Sequence, residues 1–160
     1  MELLIRNAIK EDMSSVLKLI VELAVFEKEP DAVEISEEDL IVAGFGDDKQ
    51  FDCFVAEADG EIVGMALVYF RFSTWKGRTV HLEDLVVKEK MRGKGVGKAL
   101  YRRVMEYAAE QGVKRVNWVV LDWNKPAIDF YEQTGATILS SWWQVEMEEL
   151  ALKKFIEQKE

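Results

Sequence analysis

Residues 82–100, LEDLVVKEKMRGKGVGKAL, constrain the fold of this 160-residue chain more than any other segment. An apolar run that ends at Val87 is typical of a buried strand, and the apolar spacing from Val96 onward is typical of an amphipathic helix. A glycine-rich loop joins them. The first N–H groups of a helix lack partners and the helix dipole favours anions, so such a loop can bind phosphate groups. A glycine turn without a ligand is the alternative, and the loop alone does not choose between the two.

The glycine spacing excludes two common nucleotide-binding motifs. A P-loop needs Ser or Thr after the lysine, but Lys98 is followed by Ala99. A dinucleotide fingerprint that began at Gly93 would need its last glycine at position 98, where the chain has the same lysine. The loop therefore belongs to another kind of site.

Apolar periodicity and turn residues predict an alternation of strands and helices. The predicted strands are residues 3–7, 51–58, 62–72, 78–87, 113–121 and 136–147. The predicted helices are residues 11–27, one that Ser36 caps and that ends near Gly44, one from Val96 that Gly112 ends, one from Asn124 to Gly135, and residues 148–158. This order predicts an α/β fold with a mixed, mostly antiparallel, twisted sheet and helices on both faces. No linker, repeat or low-complexity tract interrupts it, so residues 1–160 are predicted to form a single domain.

Composition excludes several classes of function. A net charge of −9 and a pI of about 4.8 argue against binding nucleic acid. The acidity either steers cationic substrates to the protein or only keeps it soluble. No apolar run approaches a membrane span and no secretory signal is visible. Cys53 is the only cysteine and His81 the only histidine, so we expect no disulfide, no metal site and a cytoplasmic location, with Cys53 in the core of a strand.

Residues 121–136, LDWNKPAIDFYEQTGA, contain a second motif, N-x-x-A-x-x-[F/Y]-Y-x-x-x-G-[A/F]. Together with the [Q/R]-x-x-G-x-[G/A] pattern of Arg92, Gly95 and Gly97, it resembles the core of the GNAT N-acetyltransferase superfamily. Each motif has a plainer interpretation, since Asn124 would serve as a simple helix cap and Tyr131 as a core residue. Two motifs in the right order and at the right separation favour the family, whose fold carries splayed central strands.

The resemblance extends to the spermidine/spermine N-acetyltransferase family through WKGRTVHLED at residues 75–84 and ELAVFE at residues 22–27. Polyamine-acetylating members carry an acidic residue where this chain has Ser73, and acidic residues after a Leu-Ser-Ser segment where this chain has Trp142-Trp143. The sequences Trp-Lys-Gly-Arg-Thr at residues 75–79 and Leu-Asp-Trp-Asn at residues 121–124 are more similar to the branch that acetylates thialysine. This departure lowers the expectation of spermine as substrate and keeps a primary amine as acceptor.

The resemblance implies transfer of acetyl from acetyl-CoA to a primary amine of a small cationic substrate, in a ternary complex. It implies Tyr131 as general acid and Glu83 as the residue that binds the amine and removes its proton through water. Asp84 would assist only if a bulge turned it to the same face as Glu83; a solvent-facing strand edge is the alternative for this pair. Acetylation of a protein N-terminus or lysine, and a non-catalytic acyl-CoA sensor, are the competing functions.

The resemblance also assigns the remaining site residues. The coenzyme would be held by Leu85, Val86, Val87, Arg92, Gly93, Lys94, Gly95, Val96, Gly97, Lys98, Asn124, Lys125, Pro126, Ala127 and Tyr131. The acceptor would be lined by Phe26, Glu27, Trp75, Glu83, Asp84 and Trp118. A homodimer formed through the C-terminal strands is expected; Trp142-Trp143 fits that interface, but would fit a core equally well.

Overall fold

The computed structural model of the chain describes residues 2–158 and divides after Val119 into two compact units. The first unit contains β1 Leu3–Asn7, α1 Met13–Phe26, α2 Glu37–Phe45, β2 Asp52–Ala58, β3 Glu61–Ser73, β4 Gly77–Val87, α3 Val96–Glu110 and β5 Val116–Asn117. The second contains α4 Lys125–Gln133 and α5 Glu149–Glu157. Short 3-10 turns at Lys10–Asp12 and Glu89–Met91 precede α1 and the glycine loop.

The five strands of the first unit form one sheet in the order β1-β2-β3-β4-β5. The first four are antiparallel neighbours, and β5 adds to β4 in parallel. The hairpin between β2 and β3 turns through Asp59 and Gly60, which have φ values of 52° and 79°, as a tight hairpin turn requires. The predicted mixed, mostly antiparallel sheet is thus confirmed.

Helices cover both faces of this sheet, because its strands alternate apolar side chains between two cores. On one face, Val96, Leu100 and Val104 of α3 pack with Phe54 and Leu82. On the other face, α1 and α2 pack against a second cluster of strand residues. That cluster includes Met13, Val16, Leu19, Leu40, Cys53, Val55, Met65, Leu67 and Val86. Cys53 is buried, as predicted, and burial raises the pKa of its thiol to about 12.

Local signals set several helix ends where the sequence predicted them. The Ser36 hydroxyl accepts from the backbone N–H of Asp39 at 3.2 Å, and the Asp39 carboxylate accepts from the backbone N–H of Ser36 at 2.8 Å. This reciprocal pair is a capping box, and it begins α2. Gly112 follows α3 with a φ of 66°, a conformation that glycine adopts without strain and that ends a helix.

Replacing Ser36 by alanine is expected to lower the free energy of unfolding by about 1 kcal/mol, because the backbone N–H of Asp39 loses the hydroxyl that accepts its hydrogen bond. Replacing it by glycine is expected to cost only a few tenths of a kcal/mol, because the missing side chain leaves the first N–H groups of the helix open to water. Urea unfolding of the two variants measures the difference. An unchanged free energy of unfolding in the alanine variant would show that the capping hydrogen bond contributes nothing to stability.

Two predicted strands are wrong in whole or in part. Residues 136–147, predicted as a long strand, form no strand, and the strand predicted for residues 113–121 shrinks to Val116–Asn117. A strand exists only where another strand supplies hydrogen bonds. Among the described residues of the second unit, the regular elements are two helices, so its strand-like sequence has no pairing partner there. Trp142 and Trp143 are 69% and 88% exposed, so they are not core residues of the second unit.

Candidate active site

A β-bulge in β4 brings the two predicted carboxylates to the same face of the sheet. Leu82 pairs with Val68 and Asp84 pairs with Leu67, so Glu83 is an extra residue between two paired positions. An extra residue shifts the alternation of side chains by one position. Asp84 therefore faces the α1 side of the sheet, as its partner Leu67 does, and Glu83 lies on that side with it. The bulge that sequence analysis required for Asp84 to lie on the same face as Glu83 is therefore present.

Glu83 is held by two neighbouring side chains. The hydroxyl of Tyr69 donates to Glu83 Oε2 at 3.2 Å, and Nε2 of His81 lies 3.3 Å from the same oxygen. His81 is two residues before Glu83 on β4, and Tyr69 is opposite His81 on β3. The side chain of Glu83 is half exposed, so one end of this cluster is open to solvent.

The local environment moves the pKa values of the two carboxylates in opposite directions. The hydrogen bond with His81, against the effect of burial, lowers the pKa of Glu83. Burial, then the charges of Glu83 and Glu27, raise the pKa of Asp84 to about 6. Adjacent carboxylates whose pKa values are driven apart are a common arrangement in sites that bind one charge and move one proton.

The C-terminal end of α1 adds the predicted acceptor residues Phe26 and Glu27 to this region. Burial raises the pKa of Glu27, and its charge contributes to the raised pKa of Asp84. The guanidinium of Arg92 lies over the Phe26 ring, 5.2 Å from its centre. The same side chain donates from Nε to the Val87 carbonyl at 3.1 Å. Arg92 thus connects the end of β4 and the glycine loop with α1.

The glycine loop has the backbone geometry of an anion site. Gly93 and Gly95 have φ values of 73° and 84°, and Gly95 is the N-cap of α3. Among the described residues, no side chain caps this helix. The N–H groups of Val96, Gly97 and Lys98 come at its first turn, where helices bind phosphate. Lys94 lies beside the loop, its Nζ 3.8 Å from Met91 Sδ.

The edge of β4 next to β5 is open over the predicted coenzyme segment. Pairing with β5 involves only Val80 and His81. Beyond them, Leu85, Val86 and Val87 pair with β3 on one side and with no strand on the other, within residues 2–158. This is the splaying that the resemblance implied, and it leaves this edge without a strand partner, although the Val87 carbonyl accepts from Arg92.

The second unit positions the other predicted coenzyme residues on α4. Asn124 Oδ1 accepts from the N–H of Ala127 at 3.4 Å and caps the helix, with Pro126 in its first turn. Lys125 forms an ion pair with Asp129. Tyr131 follows one turn later, its ring centre 5.6 Å from that of Phe130. The cap function of Asn124 is confirmed, and a coenzyme role for these residues stays a prediction.

Two predicted acceptor residues lie apart from the Glu83 cluster. Trp118 meets Tyr101 edge-to-face, at 5.7 Å between ring centres, and packs against the core on the α3 face. Trp75 is 77% exposed at the β3–β4 turn, where its backbone N–H donates to Ser73 Oγ at 3.2 Å. Arg115 Nη1 lies 3.4 Å from the same hydroxyl. The guanidinium of Arg115 thus lies beside Ser73, the position at which polyamine-acetylating relatives are expected to carry an acidic residue.

Sequence analysis missed Tyr69, Arg71 and His81 as neighbours of Glu83. His81 was treated only as a histidine too isolated for a metal site. Because His81 is two residues before Glu83, strand alternation would have placed both side chains on one side of the sheet. The positions of Tyr69 and Arg71 beside them depend on the register between β3 and β4, which the sequence does not show. Among the described residues, no group of three or more His, Cys, Asp or Glu side chains could hold a metal ion. No described helix is both long enough and apolar enough to cross a membrane.

Comparison with known proteins identifies the family of the chain. Residues 13–136 match the model of the acetyltransferase (GNAT) family. The chain is 45% identical over 145 residues to a thialysine N-epsilon-acetyltransferase of Bos taurus, covering 86% of this chain and 85% of that protein. It is 35% identical over 144 residues to a human spermidine/spermine N(1)-acetyltransferase-like protein 1, covering 86% of this chain and 21% of that protein.

Solved structures agree on the fold. An integron cassette protein from the mobile metagenome of V. cholerae superposes with a TM-score of 0.80 at 23% identity, over 99% of both chains. An aminoglycoside acetyltransferase from an uncultured soil sample superposes with a TM-score of 0.75 at 21% identity, over 91% of this chain and 97% of the other. The protein has the fold and the motifs of an acyl-transferring enzyme. It belongs to the acetyltransferase (GNAT) family and is an N-acetyltransferase.

Proposed function

We propose that this enzyme transfers the acetyl group of acetyl-CoA directly to a primary amine of a small cationic substrate, with both substrates bound together. The observation that carries the proposal is the bulge at Glu83, which turns two carboxylates of opposite pKa shift to one face of the sheet. An amine acceptor needs both a fixed anion and a proton acceptor. A solvent-facing strand edge needs neither.

The two carboxylates divide the roles that sequence analysis assigned to Glu83 with possible assistance from Asp84. Glu83, with its lowered pKa, stays ionised and binds the ammonium group. An alkyl ammonium has a pKa of about 10.4, so a proton must leave before nitrogen can attack. Asp84, with a pKa of about 6, is the stronger base of the pair. Transfer to it is uphill by about 6 kcal/mol, less than transfer to Glu83, and a bridging water completes the path.

The donor is bound by the glycine loop and the open edge of β4. The pyrophosphate meets the first turn of α3, with Arg92, Gly93, Lys94, Gly95, Val96, Gly97 and Lys98 around it. The backbone of Leu85, Val86 and Val87 pairs with the pantetheine amides, and Asn124, Lys125, Pro126 and Ala127 hold the same arm. The amine nitrogen bonds to the thioester carbon as the carbon–sulfur bond breaks, and Tyr131 gives its proton to the departing thiolate. Orientation of the two substrates supplies much of the rate.

The acceptor is a lysine-like or thialysine-like amine, ahead of a polyamine. Two observations support this choice. The bovine relative at 45% identity is named for thialysine acetylation, and the guanidinium of Arg115 stands beside Ser73 at the β3–β4 turn. A long polycation would meet that charge, whereas a small substrate bound at Phe26, Glu27, Glu83 and Asp84 would not reach it. Trp75 and Trp118 lie apart from the Glu83 cluster, so the proposal assigns contact with the reacting amine to the other four predicted acceptor residues.

Three further expectations accompany this function. Residues 1–160 act as a single GNAT domain, the protein works in the cytoplasm, and it forms a homodimer. The exposed apolar side chains of residues 138–147, among them Trp142 and Trp143, support self-association because an apolar surface of this kind favours burial.

Replacing Tyr131 by phenylalanine is expected to lower kcat on the order of 10²-fold, because the thiolate loses its proton donor while the ring is retained. Thiol release from acetyl-CoA is measured over a panel of thialysine, lysine, ornithine and spermidine. Phe130→Leu, a change at the neighbouring aromatic residue that leaves the hydroxyl, is the matched control. Full activity of Tyr131→Phe would reject Tyr131 as the acid.

The same panel tests the acceptor class. Thialysine-like amines are expected to give the highest kcat/KM, and spermidine a lower value. If spermidine is the best substrate, the interpretation of Ser73 and Arg115 is wrong. If no amine turns over while acetyl-CoA still binds, the protein is an acyl-CoA-binding domain. Turnover only with peptides would indicate a protein acetyltransferase.

A further inference from the structure

His81 has a defined place on the face that carries Glu83. It is buried near the middle of β4, directly opposite Tyr69 on β3, and the two rings lie 5.0 Å apart. It pairs on the other side with Asn117 of β5. A buried imidazole must satisfy both ring nitrogens, so its neighbours decide which nitrogen carries the proton.

Arg71 decides the position of that proton. Nη1 of Arg71 lies 3.2 Å from Nδ1 of His81. A guanidinium has N–H donors and no acceptor, so Nδ1 must accept and cannot itself carry a proton. Oδ1 of Asn117 also lies 3.4 Å from Nδ1, but the oxygen and nitrogen of a carboxamide exchange places by a half-turn, so this longer contact does not require a proton on Nδ1. The remaining proton of the neutral ring is then on Nε2.

The Nε2–H group points at Glu83. Nε2 lies 3.3 Å from Glu83 Oε2, and the Tyr69 hydroxyl donates to the same oxygen. Both donors meet at Oε2, so Oε1 lies outside this pair of hydrogen bonds. Two donors on one oxygen fix the rotamer of a half-exposed glutamate that stands on a bulge, and they favour its ionised form.

We propose that His81 is a positioning residue for acetyl transfer: Arg71 locks it as the Nε2–H tautomer, and it then aims Glu83 Oε1 at the acceptor ammonium. The role rests on the proposed function, because it concerns the carboxylate that binds the amine. His81 donates one hydrogen bond and exchanges no proton with the substrate. The nearby charged and titratable groups are Arg71, Tyr69, Glu83 and Asp84.

The tautomer is measurable without any activity assay, because His81 is the only histidine in the chain. In tag-free ¹⁵N-labelled protein near neutral pH, long-range ¹H–¹⁵N correlation is expected to show one imidazole with a protonated Nε2 and an unprotonated Nδ1. Arg71→Met should shift this pattern toward a tautomer mixture or a doubly protonated ring. An Nδ1–H or doubly protonated ring in the wild-type protein would overturn the proposal, whatever the enzyme acetylates.

Kinetics then separate positioning from a structural role. His81→Leu keeps the bulk and removes the donor, and is expected to lower kcat/KM for the amine on the order of 10²-fold while the KM for acetyl-CoA stays unchanged. His81→Gln offers an amide oxygen to Arg71 and an N–H to Glu83, so it should recover most of the loss. Thermal unfolding of both variants monitors folding.

Two outcomes contradict the positioning role while leaving amine acetylation intact. One is an unchanged amine kcat/KM in His81→Leu. The other is a His81→Gln variant that is folded but no better than His81→Leu. Failure of every amine in the wild-type enzyme would reject the proposed function instead, and the spectrum of the ring would still test the lock by Arg71.

Discussion

Glu83→Gln is expected to lower kcat/KM for the amine on the order of 10³-fold, with acetyl-CoA binding unchanged. Glutamine keeps the size of the side chain and can still accept from Tyr69 and His81, but it has no charge for the ammonium group. The loss should appear in both KM and kcat, because the anion both binds the acceptor and orients it. Initial rates over a range of amine concentration, together with a coenzyme titration, measure the two effects.

Glu106→Gln is the matched control for this change. Glu106 is an exposed glutamate on α3 that pairs with Arg102, so the same substitution removes a surface ion pair of small energetic value. Its kinetics should equal those of the wild-type enzyme. If Glu83→Gln also behaves like the wild type, Glu83 is a solvent-facing residue of a strand edge and the acceptor is bound elsewhere.

Local sequence signals sufficed for most of the first unit. The Ser36–Asp39 capping box, the Asp59-Gly60 turn and the glycine after α3 all act within a few residues, so each predicts an element end directly. The glycine loop is equally local, because its backbone geometry depends on the glycines themselves. These features gave the correct order of elements from residue 3 to residue 112.

Features that depend on distant pairing could not be predicted in this way. Residues 136–147 have the apolar and aromatic composition of a strand, but composition does not supply a partner, and the structure leaves them without one in their unit. Sequence analysis named a bulge only as the condition for Asp84 to assist, and its position at Glu83 follows from the register of β4 against β3. The same register places Tyr69 and Arg71 around His81, and no spacing in the sequence shows it.

Asp84→Asn is expected to make the protein more stable while it lowers activity. The pKa of Asp84 is about 6 in the folded protein, against an ordinary value of 3.8, because burial and the charges of Glu83 and Glu27 disfavour its ionised form. The folded state therefore binds a proton more tightly than the unfolded state between about pH 4 and pH 6. Stability falls as pH rises through that window, by at most about 3 kcal/mol, and stays lower at neutral pH.

The asparagine variant has no charge to bury, so its free energy of unfolding should exceed that of the wild type by about 1–3 kcal/mol at neutral pH and equal it near pH 4. Urea unfolding at the two pH values measures this, with Asp47→Asn, in the exposed loop after α2, as the control that should change nothing. The kcat/KM for the amine should fall in the same variant. The activity of the wild-type enzyme should decrease below about pH 6, and the residual activity of the variant should not show this decrease. A gain in stability without loss of activity would mean that the charge of Asp84 destabilises the folded protein but has no role in the reaction. Lower stability at both pH values would show that Asp84 is a structural hydrogen-bonding group and that the proton leaves by another route.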